Sequence, residues 1–162
     1  MGPMSYVELR LGDNRGNQII LPHTTWKALI ERRADIERLV QSPATSSLSI
    51  HDIVLLIVKM RDENVVKFAL RDTCMYMKPS TVLFMLDLEH CIEHAYYWLC
   101  QNMHSVSEKF KQFVSYLRQN CINNKNDATQ ILCKIYDKTS FIDCELITYA
   151  KDNIVYAALH EI

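Results

Sequence analysis

The chain has 162 residues, of which 49% are hydrophobic and 23% charged, and its formal net charge at pH 7 is −1. That length suits one substantial domain or two small ones packed together, and a charge so near zero excludes a polybasic nucleic-acid binder. No apolar run approaches the ~20 residues that span a bilayer, and the start shows no secretory n-region and h-region, so a soluble protein is expected.

In chain order, "YVELRL" (6–11) alternates, with Val7, Leu9 and Leu11 on one face and Tyr6, Glu8 and Arg10 on the other, as a strand does. "GDNRGN" is a turn cluster, and "QIIL" is an extended apolar run that stops at Pro22. Thr24 or Thr25 caps a helix that runs through Trp26, Leu29, Ile30, Ile36 and Leu39 to about Val40. After a "QSPATSS" linker, "IVLLIVKM", the turn "RDEN" and "VVKFALR" form a hairpin. In its second arm Val66, Phe68 and Leu70 share one face, while Lys67, Ala69 and Arg71 share the other. A Lys78-Pro79 turn then leads into "STVLFML" as a third strand.

From about Leu88 to Met103 the pattern is helical. "SVSEKFKQFVSYLRQ" follows as an amphipathic helix with Phe110, Phe113, Val114 and Leu117 on its apolar face. "INNKND" is a loop and "ATQILCKIY" a short helix. "ELITYAKDNIVYAALH" fits either a hairpin turning at Lys151-Asp152-Asn153 or a helix.

The two halves resemble each other. "VELR" (7–10) matches "FALR" (68–71), "IIL" (19–21) matches "FML" (84–86), and Trp26 falls opposite Cys91. "KDNIVYAALH" (151–160) resembles "RDENVVKFALR" (61–71), so the C-terminus is a candidate source of the strands that the first copy lacks.

These strings resemble the C-terminal domain of the transcriptional coactivator positive cofactor four. That family has an apolar-x-apolar-Arg strand, a Met-Lys-Pro turn, an Ile-x-Leu strand, and a helix with a Trp near its start. Its curved antiparallel sheet is followed by one long helix, dimerises through that helix and binds single-stranded DNA. "VELR" and "IIL" with "PHTTWKALIERRADIERLV" carry the first copy; "FALR", "MKP" and "FMLDLEHCIEH" carry the second. The first copy has no Met-Lys-Pro, and the second has Cys91 where the family has Trp.

The resemblance implies an α+β fold in which two tandem curved sheet-plus-helix modules form an intramolecular pseudo-dimer. Residues 5–41 would be the shortened first module, 50–103 the fuller second module, and 104–162 a mainly helical extension packed on the same core. Single-strand binding needs cations along the phosphates and flat rings under the bases. Lys59, Arg61, Lys67, Arg71 and Lys78 are the candidate phosphate partners of the second module, with Tyr76 as a stacking platform. Arg10, Arg15 and Tyr6 hold comparable places in the first. Arg10 and Arg71 match the family's strand Arg, and Lys78 its Met-Lys-Pro lysine.

"HCIEH" (90–94) matches His-x-x-Glu-His, a zinc-protease signature, but the repeat accounts for the same residues. With only three Gly there is little room for a phosphate-cradling loop. Six Cys (74, 91, 100, 121, 133, 144) include no C-x-x-C pair, so reduced thiols in a nuclear compartment, or a cytoplasmic one for a viral protein, are expected. The expectation is a non-enzymatic binder of single-stranded or melted DNA, or RNA, without cofactor or metal. It would serve as a transcription or replication accessory factor and pair with transcription or replication proteins but not with membranes. It would be monomeric or a homodimer, and its binding would weaken steeply with salt. The alternative is a protein-interaction module that kept the fold without nucleic-acid binding.

Overall fold

The computed structural model of the chain describes residues 6–43, 45–120 and 122–160, so the Cys121 thiol lies outside it. The protein is mixed α+β, with two antiparallel sheets of two and four strands and eight helices among the described residues. The described residues divide into two compact units, 7–97 and a second that holds Tyr6 and 98–160.

In Val7–Tyr97, β1 (Leu9–Gly12) and β2 (Gln18–Leu21) form a hairpin. Its loop is tied by Asp13, whose Oδ1 accepts the N–H groups of Arg15 and Asn17, each at 2.9 Å. A hydrogen bond from the Asn17 side chain, ahead of the other causes, holds the Asp13 carboxyl below its ordinary pKa. Gly16, at φ 86°, supplies the left-handed residue that the loop needs. Helices α1 (His23–Glu31) and α2 (Arg33–Val40) follow. Next come β3 (Ser47–Ile50), β4 (Ile53–Met60), β5 (Glu63–Leu70) and β6 (Thr73–Met77), which pair in sequence order. Finally α3 (Pro79–Asp87) leads into α4 (Glu89–Gln101).

The hairpin read at "IVLLIVKM"/"VVKFALR" is β4–β5, but the third strand lies one segment earlier than expected. "TCMYM" is β6, and "STVLFML" belongs to α3. Pro79 opens that helix at its first position, where its missing N–H costs nothing, and Lys78 precedes it at φ −66° and ψ 149°. Val82, Met85 and Leu86 are buried from α3, a helical spacing that a short apolar run does not distinguish from a buried strand. The extended apolar run "IIL" therefore corresponds to no strand at "FML".

A different internal correspondence replaces it. Each of two hairpins, β1–β2 and β5–β6, runs through a Pro-containing junction into a nine-residue helix, then a one-residue break, then a second helix. Pro22 answers to Lys78: the Trp26 N–H reaches the Pro22 carbonyl at 3.0 Å, and the Val82 N–H reaches that of Lys78 at 3.2 Å. Arg32 and Leu88 are the breaks, accepting from the N–H groups of Ile36 and Ile92 at 3.0 and 2.9 Å. The counterpart of Trp26 is thus Val82 and not Cys91.

Both hairpins and helices α1–α3 feed one core. Ile19, Leu21, Trp26, Leu29 and Ile36 join Ile53, Leu55, Ile57, Val66, Phe68, Met75, Met77, Val82 and Leu86 in a single buried cluster. A polar clasp also joins α1 to α4. The His23 ring stacks on Tyr96 at 4.0 Å, meets Tyr97 edge-on, and places Nε2 3.0 Å from Glu93 Oε1.

Residues beyond Tyr97 build a second cluster. It comprises α5 (Met103–Gln119), α6 (Lys125–Ile135), α7 (Phe141–Tyr149) and α8 (Lys151–His160), packed through Phe113, Leu117, Leu132, Leu146 and Ile154. The segment read as hairpin or helix is the pair α7–α8, so it supplies no strands to the first repeat. Asn124 and Ser140 cap α6 and α7 by accepting from the N–H groups of Asp127 and Asp143. Asp143 is buried yet satisfied: it accepts from the Asp137 N–H at 2.9 Å and pairs with Lys109 at 3.4 Å.

Glu145 of α7 lacks such compensation, and burial raises its pKa above the ordinary carboxylate value. The folded form therefore holds a proton that the unfolded chain releases, and stability falls as pH rises through the carboxylate range. Glu145→Gln is expected to flatten that slope and raise the melting temperature at pH 7. Thermal melts of both proteins at pH 4.5 and pH 7 measure this, and an unchanged difference between the two pH values would contradict it.

Candidate nucleic-acid interface

Strand pairing fixes which side chains share a face. Across the large sheet, Leu48–Leu55–Phe68–Met75 and Ile57–Val66–Met77 are rows that turn into the core. The alternate rows face outward: Ser47–Leu56–Lys67–Tyr76, Ser49–Val54–Ala69–Cys74, and Val58–Val65. Lys67 and Tyr76 are direct cross-strand neighbours, which places their Cβ atoms about 5 Å apart. Tyr76 is 48% exposed, and Lys67 is half-buried among Leu56, Val65 and Ala69. Lys78, exposed and two residues after Tyr76 in extended backbone, continues the same side at the sheet's end. Among the described residues no carboxylate lies within ion-pair reach of Lys67 or Lys78. The structure thus gathers three of the expected residues: a cation, a ring and a second cation.

The others lie elsewhere. Lys59, two residues after the core-facing Ile57, shares its side of the sheet beyond the core's edge, opposite the face of Lys67. Arg61 sits in the β4–β5 turn and Arg71 in the β5–β6 turn, at opposite ends of strands roughly 25 Å long. Arg71, placed on the strand's open face by the alternation, is instead a turn residue at φ 53° that approaches Asp52 at 3.8 Å. With both partners exposed, that pair contributes little. Arg15 is exposed in the β1–β2 loop. Arg10 points outward from β1 but is held by Glu8 at 2.8 Å. Tyr6 is 72% exposed.

A signal for β6 was present in the sequence. His51-Asp52, Arg61-Asp62 and Arg71-Asp72 recur at a constant interval, and each is the two-residue turn of a hairpin. His51, Arg61 and Arg71 all adopt positive φ. The Asp that follows Arg61 and Arg71 offsets the arginine charge, which weakens these two turns as phosphate ligands. In "HCIEH", His90 and His94 are exposed while Glu93 is engaged by His23. Among the described residues no three His, Cys, Asp or Glu side chains gather as a metal site.

No family model, curated protein or solved structure matches the chain. Among the described residues no helix is long and apolar enough to cross a membrane.

Arg61 and Asp62 both adopt positive φ, at 54° and 63°, a geometry that favours Asn-Gly over Arg-Asp. The double substitution Arg61→Asn, Asp62→Gly is expected to stabilise the protein by about 1 kcal/mol in urea unfolding. It should also leave oligonucleotide affinity within about twofold, because the turn stands apart from the Lys67–Tyr76 row. A tenfold loss of affinity would return Arg61 to the interface.

Proposed function

We propose that residues 7–97 are two positive-cofactor-four-like modules in one chain, an intramolecular counterpart of a two-chain unit. The outer face of β3–β6 then binds single-stranded or melted nucleic acid without catalysis, as a transcription or replication accessory factor does. The observation that carries this reading is the Lys67–Tyr76 cross-strand pair, with Lys78 beside it, on the sheet face opposite the buried rows. The hairpin–Pro–helix plan occurs twice, but each hairpin leads directly into a helix where the family has a further strand, so the reading rests on the sheet face.

Tyr76 offers a stacking surface, and Lys67 and Lys78 two phosphate contacts. Two contacts on a single strand correspond to a log–log salt slope of about −1.4, shallower than a basic groove would give. Stacking on aliphatic and aromatic side chains supplies the rest, with little sequence preference.

One observation favours a second reading, a protein-docking face without nucleic acid. Val54, Leu56, Val58, Met60 and Val65 make much of the outer surface aliphatic, and Val54 and Met60 are 40% and 47% exposed. Solvent-facing apolar patches of this kind also mark protein contacts.

Fluorescence anisotropy with labelled oligo-dT across a salt series separates the two. Tyr76→Ala is expected to weaken binding about tenfold, the stacking worth of one base. Lys67→Glu with Lys78→Glu should abolish binding at 100 mM salt while leaving the melting temperature unchanged. Equal affinity in these variants would overturn the site, and no binding by the wild type at low salt would favour the protein-docking reading.

A further inference from the structure

We infer that the first repeat holds a second single-strand face, which the chain keeps closed with its own carboxylate, Glu8. This inference rests on the nucleic-acid reading of the second repeat. The last core-facing pair before each helix is Leu9–Leu21 in one hairpin and Val66–Met77 in the other. The adjacent outward pair is Arg10–Ile20 in the first and Lys67–Tyr76 in the second. Arg10 therefore takes the place of Lys67, and Ile20 that of Tyr76. Both pairs set a cation beside a large exposed apolar side chain, Ile20 being 53% and Tyr76 48% exposed.

What differs is the company of the cation. Arg10 Nε and Nη2 both reach Glu8 Oε2, at 2.9 and 2.8 Å, and Nη1 donates to Gln18 Oε1 at 3.3 Å. These nitrogens form the edge of the guanidinium fork that a phosphate would engage. Glu8 is the better placed competitor, because it lies two residues away along the same stretch of chain and its side chain is only 20% exposed. Its negative charge also repels an approaching phosphate. Lys67 has no such neighbour among the described residues. The two related faces are thus unequal, one open and one occupied by an internal phosphate mimic, and the chain takes up one strand where its repeat architecture would allow two.

The test is binding stoichiometry, by anisotropy titration at protein concentrations well above Kd and by native mass spectrometry. The probe is oligo-dT of about 8 nucleotides, short enough to occupy one face. The wild type is expected to bind one equivalent and Glu8→Gln two, the second at no more than about tenfold weaker affinity. Glu8→Ala, which removes the carboxylate by a different route, should also bind two. Adding Arg10→Gln to Glu8→Gln returns the count to one, and adding Lys67→Glu to Glu8→Gln leaves one equivalent on the first face. Two equivalents on the wild type, or one on both folded Glu8 variants, overturn the inference and leave the second-repeat site standing. Binding by neither wild type nor variants defeats this inference and the nucleic-acid reading together.

Discussion

The register of the β4–β5–β6 meander is the constraint on which the rest of the structure depends. Strand side chains alternate, so once Ile57, Val66 and Met77 lie in the core, Leu56, Lys67 and Tyr76 must face away from it. A slip of one residue would bury Lys67 unpaired and expose Phe68. The two-residue turns Arg61-Asp62 and Arg71-Asp72 hold that register, and each admits a residue in left-handed backbone. Core and candidate interface are thus two faces of one set of hydrogen bonds, and neither can change without the other.

The second organising element is the junction after each hairpin. A Pro at or just before the first helical position ends the strand pairing and starts a helix without a side-chain cap. Trp26 and Val82, one turn in, return to the shared core. Equivalent positions therefore carry very different volumes, and the larger one belongs to the shorter repeat. Trp26 is 2% exposed and its indole N–H has no hydrogen-bond partner, so its fit there comes from packing alone. The His23–Glu93–Tyr96 clasp adds polar contact between α1 and α4.

Much of this was legible in the residues. The alternation of "YVELRL" and "VVKFALR", the break at Pro22 and the amphipathic "SVSEKFKQFVSYLRQ" correspond to β1, β5, the start of α1, and α5. "STVLFML" was not legible, because an apolar run of that length satisfies both strand and buried-helix periods. The spacing of Arg61-Asp62 and Arg71-Asp72 would have resolved it by marking "TCMYM" as a strand between turn and Pro. Misplacing that strand also misaligned the repeats and set Trp26 against Cys91. Among the candidate site residues, alternation, a local rule, puts Lys67, Tyr76 and Lys78 on one face, and the β5–β6 pairing sets Lys67 beside Tyr76. Arg61, Arg71 and Lys59 are dispersed because turn position and strand end depend on register, which pairing alone sets. The Glu8–Arg10 bond was within reach, since residues two apart on a strand share a face.

On the proposed function, the outward row of the large sheet, and not the turns or the helices, meets single-stranded nucleic acid. Amide chemical-shift perturbation of the ¹⁵N-labelled protein titrated with oligo-dT tests it most directly. The largest shifts are expected at Ser47, Leu56, Lys67 and Tyr76, running on to Lys78, with Arg10 and Ile20 left unmoved. Shifts centred on Arg61, Arg71 or the helices α5–α8, or no shifts at saturating oligonucleotide, would contradict it.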